Sequence, residues 1–125
     1  MARDIYVQDI LTNVSEVKDI PSDWMPDPLP YSHSEIVATI QRVVPAADFS
    51  DPEWGHIEGE NFSIEVNIKR EEPMRSFAFH CRANGLDADY VVADILEALS
   101  LRAFDIDSET GIFEDPRTRP EGLLA

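Results

Sequence analysis

The chain of 125 residues holds a single cysteine, Cys81. An intramolecular disulfide and any multi-cysteine zinc site are therefore excluded. Lysine is almost missing too, with Lys18 and Lys69 standing beside eight arginines. Basic residues total 10 against 25 acidic ones, a formal net charge of −15. A field of that sign repels nucleic acid and anionic membrane and attracts basic proteins or cations. Neither nucleic acid nor membrane is expected as a partner. The same acidity also suits a chain that is merely kept soluble, or one from a salt-adapted or GC-rich host.

No stretch approaches 18 apolar residues, and MARDIYVQDI lacks the apolar run of a signal peptide, so a soluble, cytoplasmic protein is expected. The five glycines are scattered, and none sits in a phosphate-cradling loop. No internal repeat stands out, no catalytic motif is present and no cofactor is expected.

What is present is a regular alternation of patterns. The hydrophobic fraction of 43% is that of a folded domain, and the length suits one. Asp4 to Ile10 reads as a short first strand, with Ile5, Val7 and Asp9 on one side and Tyr6 on the other. In YSHSEIVATIQRVVP, Ser32 followed by Glu35 forms a capping box. Ile36, Val37, Ile40, Val43 and Val44 then make a helical stripe, ended by Pro45. Trp54 to Glu58, Phe62 to Lys69 and the MRSFAFHCR segment read as a three-stranded meander. Phe62, Ile64, Val66, Ile68, Phe77, Phe79 and Cys81 point inward. ADYVVADILEALSLR is a second helix, capped by Asp87 or Asp89, with Val91, Val92, Ile95, Leu96 and Leu99 buried. RAFDID and GIFED, flanking SET, read as a terminal hairpin. The fold class expected is α+β, an antiparallel sheet with two amphipathic helices packed on one face. Residues 1–114 form the single domain, and 115–125 a flexible tail.

PSDWMPDPLP, residues 21–30, sits between first strand and first helix with four prolines and Trp24. Prolines stiffen the crossing in extended form, and an indole is a reason to order it. Residues 19–31 are read as a strap anchored by Trp24. The rival reading keeps Trp24 exposed as an anchor for a partner.

With helices on one face, the other face of the sheet lies open. If Gly59-Glu60 is the turn, Ile57 opposes Phe62 and His56 opposes Ser63. A four-residue loop at 70–73 pairs Lys69 with Met74, which sets Ser63 opposite His80 and Glu65 opposite Ala78. His56, Ser63 and His80 then form one cross-strand row, with Trp54, Glu65 and Arg82 beside it. Three readings compete: a solvated polar face, a contact surface for a partner, and a metal or acid–base site on two imidazoles, Glu65 and a serine beside a histidine. Strand spacing opposes the third, because His56 and His80 would straddle Ser63 by about twice 4.8 Å. Cys81, alternating with phenylalanines, reads as a small buried hydrophobe.

At ADFSDPEWGHIEG, FSIEVNI, SFAFHCRANG and ADILEALSLRAFD the chain resembles a family of small bacterial proteins to which no activity is assigned. The resemblance spans DIYVQDI to GIFED, and its motifs are structural, so it carries over no functional residues. In size and charge the chain is also similar to bacterial immunity proteins, small acidic α+β domains that neutralise basic nuclease toxins. The expected function is binding rather than catalysis: docking of a basic protein, in an immunity-like or regulatory role. The contending class is a small-molecule or metal-binding protein using the open sheet face.

Overall fold

The computed structural model describes residues 2–117. The chain is an α+β domain with an open six-stranded antiparallel sheet and two helices. In chain order the elements are β1 (Ala2–Gln8), a 3-10 turn (Val17–Asp19), α1 (His33–Val43), β2 (Asp48–Asp51), β3 (Trp54–Glu58), β4 (Phe62–Asn67), β5 (Phe77–Ala83), α2 (Asp87–Leu99) and β6 (Arg102–Asp105). Across the sheet the order is β2-β3-β4-β5-β1-β6. The meander β3-β4-β5 is present as the alternation predicts, extended by β2 at one edge. β1 returns from the N-terminus to lie between β5 and β6.

Both helices bury their stripes on the inward face. Ile36 and Ile40 of α1, with Val92, Ile95, Leu96 and Leu99 of α2, join Ile5, Val7, Ile64, Val66 and Phe79 in one core. The capping box is complete: Ser32 Oγ accepts from Glu35 N–H at 3.2 Å, and Glu35 Oε1 accepts from Ser32 N–H at 2.8 Å. Two orphan donors are thereby satisfied. The start of α2 differs from expectation. Its N-cap is Leu86, with no side-chain cap, while Asp87 and Asp89 lie in the first turn. There the carboxylates face the positive end of the helix dipole instead of capping it. Asp89 is further engaged, because Arg3 Nη2 and Nη1 lie 3.0 and 3.1 Å from its two oxygens. Arg3 Nη2 also meets Asp105 Oδ2 of β6 at 3.2 Å.

The proline segment is held by backbone and by one buried side chain. Asp27 bridges to Asp9, Leu29 N–H donates to the Met74 carbonyl at 2.7 Å, and Arg75 Nη1 donates to the Pro26 carbonyl at 3.2 Å. Leu29 is buried in the core. Trp24 is only half-buried and meets the Phe104 ring edge-on, 6.0 Å between centroids. Leu29, not Trp24, is the side chain that this segment commits to the core. After β6 the chain turns back through an isolated bridge, Phe104 to Ile112, so the terminal hairpin is reduced to a single pairing and two flanking backbone bonds. Of the tail expected at 115–125, Arg117 pairs with Asp94 at 2.7 Å and with Asp115 at 3.0 Å. Residues 118–125 lie outside those described.

Candidate functional site

The open face is built by alternation. Once Ile57, Ile64, Val66, Phe77 and Phe79 turn inward, their neighbours along each strand must face the other way. The inward and outward assignment made from the sequence holds, but the register does not. Ile57 pairs with Ile64 and His56 with Glu65. Glu65 then pairs with His80, and Ser63 with Arg82. Both hairpins are displaced by two residues from the expected pairing. An even displacement preserves facing and exchanges neighbours.

Two local causes account for it. Gly59 N–H donates to the Phe62 carbonyl at 2.9 Å, so the turn centres on Glu60-Asn61 instead of Gly59-Glu60. Gly59 has no positive φ. Glycine is needed there because a Cβ would sit 2.0 Å from the Phe62 ring. In the next connection Met74 is buried and gives its carbonyl to Leu29 of the proline segment. It is therefore unavailable as a partner for Lys69, and the loop between β4 and β5 lengthens.

The resulting central row runs Asp48, His56, Glu65, His80, Asp4 across five strands. Acid and imidazole alternate along it. The row on one side holds Trp54, Asn67, Ala78 and Tyr6, and the row on the other Glu58, Ser63, Arg82 and Ala2. His80 Nδ1 lies 2.7 Å from Asp4 Oδ1. A carboxylate can only accept, so this contact sets Nδ1–H as donor. The His80 ring is also stacked against Trp54, 6.1 Å between centroids at 28°. Asp48, at the sheet edge, is held below the usual carboxylate range by hydrogen bonds from the Ser50 hydroxyl and N–H.

Trp54, Ser63, Glu65, His80, Arg82 and Asp4 line one depression of about 330 Å³ on this face. Five of the seven residues singled out from the sequence are thus brought together. His56 stands beyond Glu65, outside the depression, and Trp24 lies at the opposite end of the sheet against Phe104. The sequence reading missed Asp4 and Asp48. Asp4 shares the outward alternation of Tyr6, which was a usable signal. What it lacked was the knowledge that β1 lies beside β5.

The nucleophile–base pairing loses its geometry. Ser63 stands opposite Arg82 and diagonal to His80, and the Ser63 hydroxyl has no hydrogen-bond partner among the described residues. His56 and His80 are separated by the whole of β4, about 9.6 Å between strand axes. Among the described residues no three His, Cys, Asp or Glu side chains converge as a metal ion requires.

Comparison with protein-family models, curated proteins and solved structures finds no match to this chain. Among the described residues, no helix is long and apolar enough to cross a membrane.

Behind the open face, Cys81 points inward opposite Arg3 and is 4% exposed. Burial pushes its thiol up to about 12. Because the unfolded thiol titrates near 8.5, burial contributes stability below that pH, and this is lost as pH rises towards 12. The expected result with Ellman's reagent at neutral pH is no labelling of the folded protein and full labelling in denaturant. Prompt stoichiometric labelling of the native chain would contradict the inward placement of Cys81.

Proposed function

We propose that this protein is a binding module that acts in the cytoplasm. It docks a basic partner protein through the open face of its sheet, in an immunity-like or regulatory role. The observation that carries the reading is an acidic sheet face, open from β2 to β1 and met by Trp24 at Phe104 of β6, with aromatic side chains on paired strands. Asp4, Asp48, Glu58 and Glu65 project from it against Arg82. Trp54 and Tyr6 are each 40% exposed. Cross-strand hydrogen bonding holds these groups in place before any partner arrives, so little ordering entropy is lost on docking. The overall charge of −15 would accelerate encounter with a basic surface and disfavour acidic competitors. Among the described residues no three-ligand cluster supports the metal-binding alternative.

The experiment is capture of a partner followed by kinetics on the purified pair. Exposed opposite charges are screened beyond a Debye length, about 8 Å at physiological salt. The association rate is therefore expected to fall roughly tenfold or more between low and physiological ionic strength. Charge reversal at Glu65 and Glu58 should lower it at low salt and flatten the dependence. A rate indifferent to salt would overturn electrostatic docking.

A further inference from the structure

We infer that the depression around Trp54 and Glu65 receives an arginine side chain of the basic partner, with the guanidinium stacked on the indole and paired to the carboxylate. The inference rests on the docking reading above and narrows it to one anchor.

The groups that line the depression divide into those already engaged and those left free. Asp4 and His80 are engaged with each other at 2.7 Å, and His80 braces the Trp54 ring from one side. The Glu65 carboxylate has no hydrogen bond or ion pair among the described residues. It is exposed on a central strand, flanked by His56 and His80. Trp54 keeps 40% of its surface open. Trp54 opposes Asn67, and Glu65 is two residues along the same strand. Such diagonal neighbours stand about 7–8 Å apart, a span that a planar cation can occupy while touching both.

The shape of the site favours arginine over lysine. A guanidinium is flat, weakly hydrated, stacks on aromatic faces and meets a carboxylate through two parallel N–H groups. A lysine ammonium makes the charge contact without the stack. Arg82, among the described residues the single arginine or lysine lining the depression, stands in the row beyond Glu65, on the side away from Trp54. The end occupied by Trp54, Glu65 and Asp4 is therefore the electronegative one. An incoming arginine is steered to that end, and Arg82 opposes any second cation at the other.

The test uses the full chain with an oligoarginine and an oligolysine peptide of equal length, titrated by calorimetry at low salt. The arginine peptide is expected to bind roughly tenfold more tightly. Trp54→Ala and Glu65→Gln should each reduce it to about the level of the lysine peptide. Trp54→Phe should retain part of the preference, and Arg82→Ala should strengthen binding of both peptides. If Trp54→Ala does not fold, Glu65→Gln carries the comparison alone. Equal binding of the two peptides, unaltered by either substitution, would overturn the arginine anchor and leave the acidic docking face standing. Failure of both peptides to bind at low salt would overturn the anchor and the docking face together.

Discussion

Phe79→Ala is expected to lower stability by about 3–5 kcal/mol. Phe79 is completely buried and lies on β5, with Ile5 opposite on β1 and Val66 opposite on β4. Its ring meets Phe77 edge-on at 5.5 Å. Truncation removes the apolar surface of the ring and leaves a cavity under strands that are hydrogen-bonded on both sides and cannot collapse freely. Urea unfolding measures the loss through the midpoint, with an unchanged slope if the native state keeps its fold. Ser63→Ala is the matched control on the opposite face, expected within about 0.5 kcal/mol of the parent. A loss below about 1 kcal/mol for Phe79→Ala would contradict the assigned core.

Arg3→Met should produce the second large effect, a loss of about 3–5 kcal/mol at neutral pH. Arg3 shares the inward side of β1 with Ile5 and Val7, and bridges Asp89 of α2 to Asp105 of β6. The side chains of Asp89 and Asp105 are only 10% and 6% exposed. Burial tends to lower the guanidinium pKa, but the hydrogen bond and charge of Asp89, with Asp105, raise it overall. Asp105 is itself raised above the usual carboxylate range, since burial outweighs the attraction of Arg3. Without the cation two buried acids face each other, so the Asp105 carboxyl, already raised by burial, must rise further.

The sign of the pH dependence follows from that direction. A carboxyl raised on folding binds its proton more readily in the folded state. The penalty in Arg3→Met is therefore fully present at neutral pH and shrinks as pH falls through the raised value towards the unfolded one near 4. Thermal or urea unfolding between neutral and mildly acidic pH should show the gap to the parent closing. A gap independent of pH would mean that lost packing of the arginine stem, not charge, carried the effect. Adding Asp89→Asn and Asp105→Asn to Arg3→Met should recover much of the loss at neutral pH, because no ionised group is then left unpaired.

These two residues differ in how far the chain alone reveals them. Phe79 was legible: SFAFHCR alternates aromatic and polar, and the period of two assigns the ring to the core without reference to any other segment. Arg3 was not. Nothing in ARDIYVQ says that its guanidinium will meet a helix that begins at Asp87 and a strand that begins at Arg102. The site divides in the same manner. Trp54, Glu65, His80 and Arg82 were correctly placed on one outward face. Their true neighbours awaited the displacement caused by Phe62 lying over Gly59 and by Met74 pairing with Leu29. Trp24 drew attention because tryptophan is large. The less conspicuous Leu29 took the core position, since its backbone N–H pairs with Met74 and carries the side chain inward.

The sequence by itself determined the α+β class, the two helices with their buried stripes, the Ser32–Glu35 cap, and which side of each meander strand faces the core. All of these depend on the period of the backbone or on residues within one turn of each other, so the information is local. Only the tertiary structure decided that β1 lies between β5 and β6, that β2 joins the edge, that His80 meets Asp4, and that Glu65 rather than Ser63 stands between the two histidines. Strand partner and register are settled by contacts between residues far apart in the chain. Registers that differ by two residues bury the same faces equally well, so the hydrophobic pattern cannot choose between them. The choice falls to the fit of particular side chains at the turns.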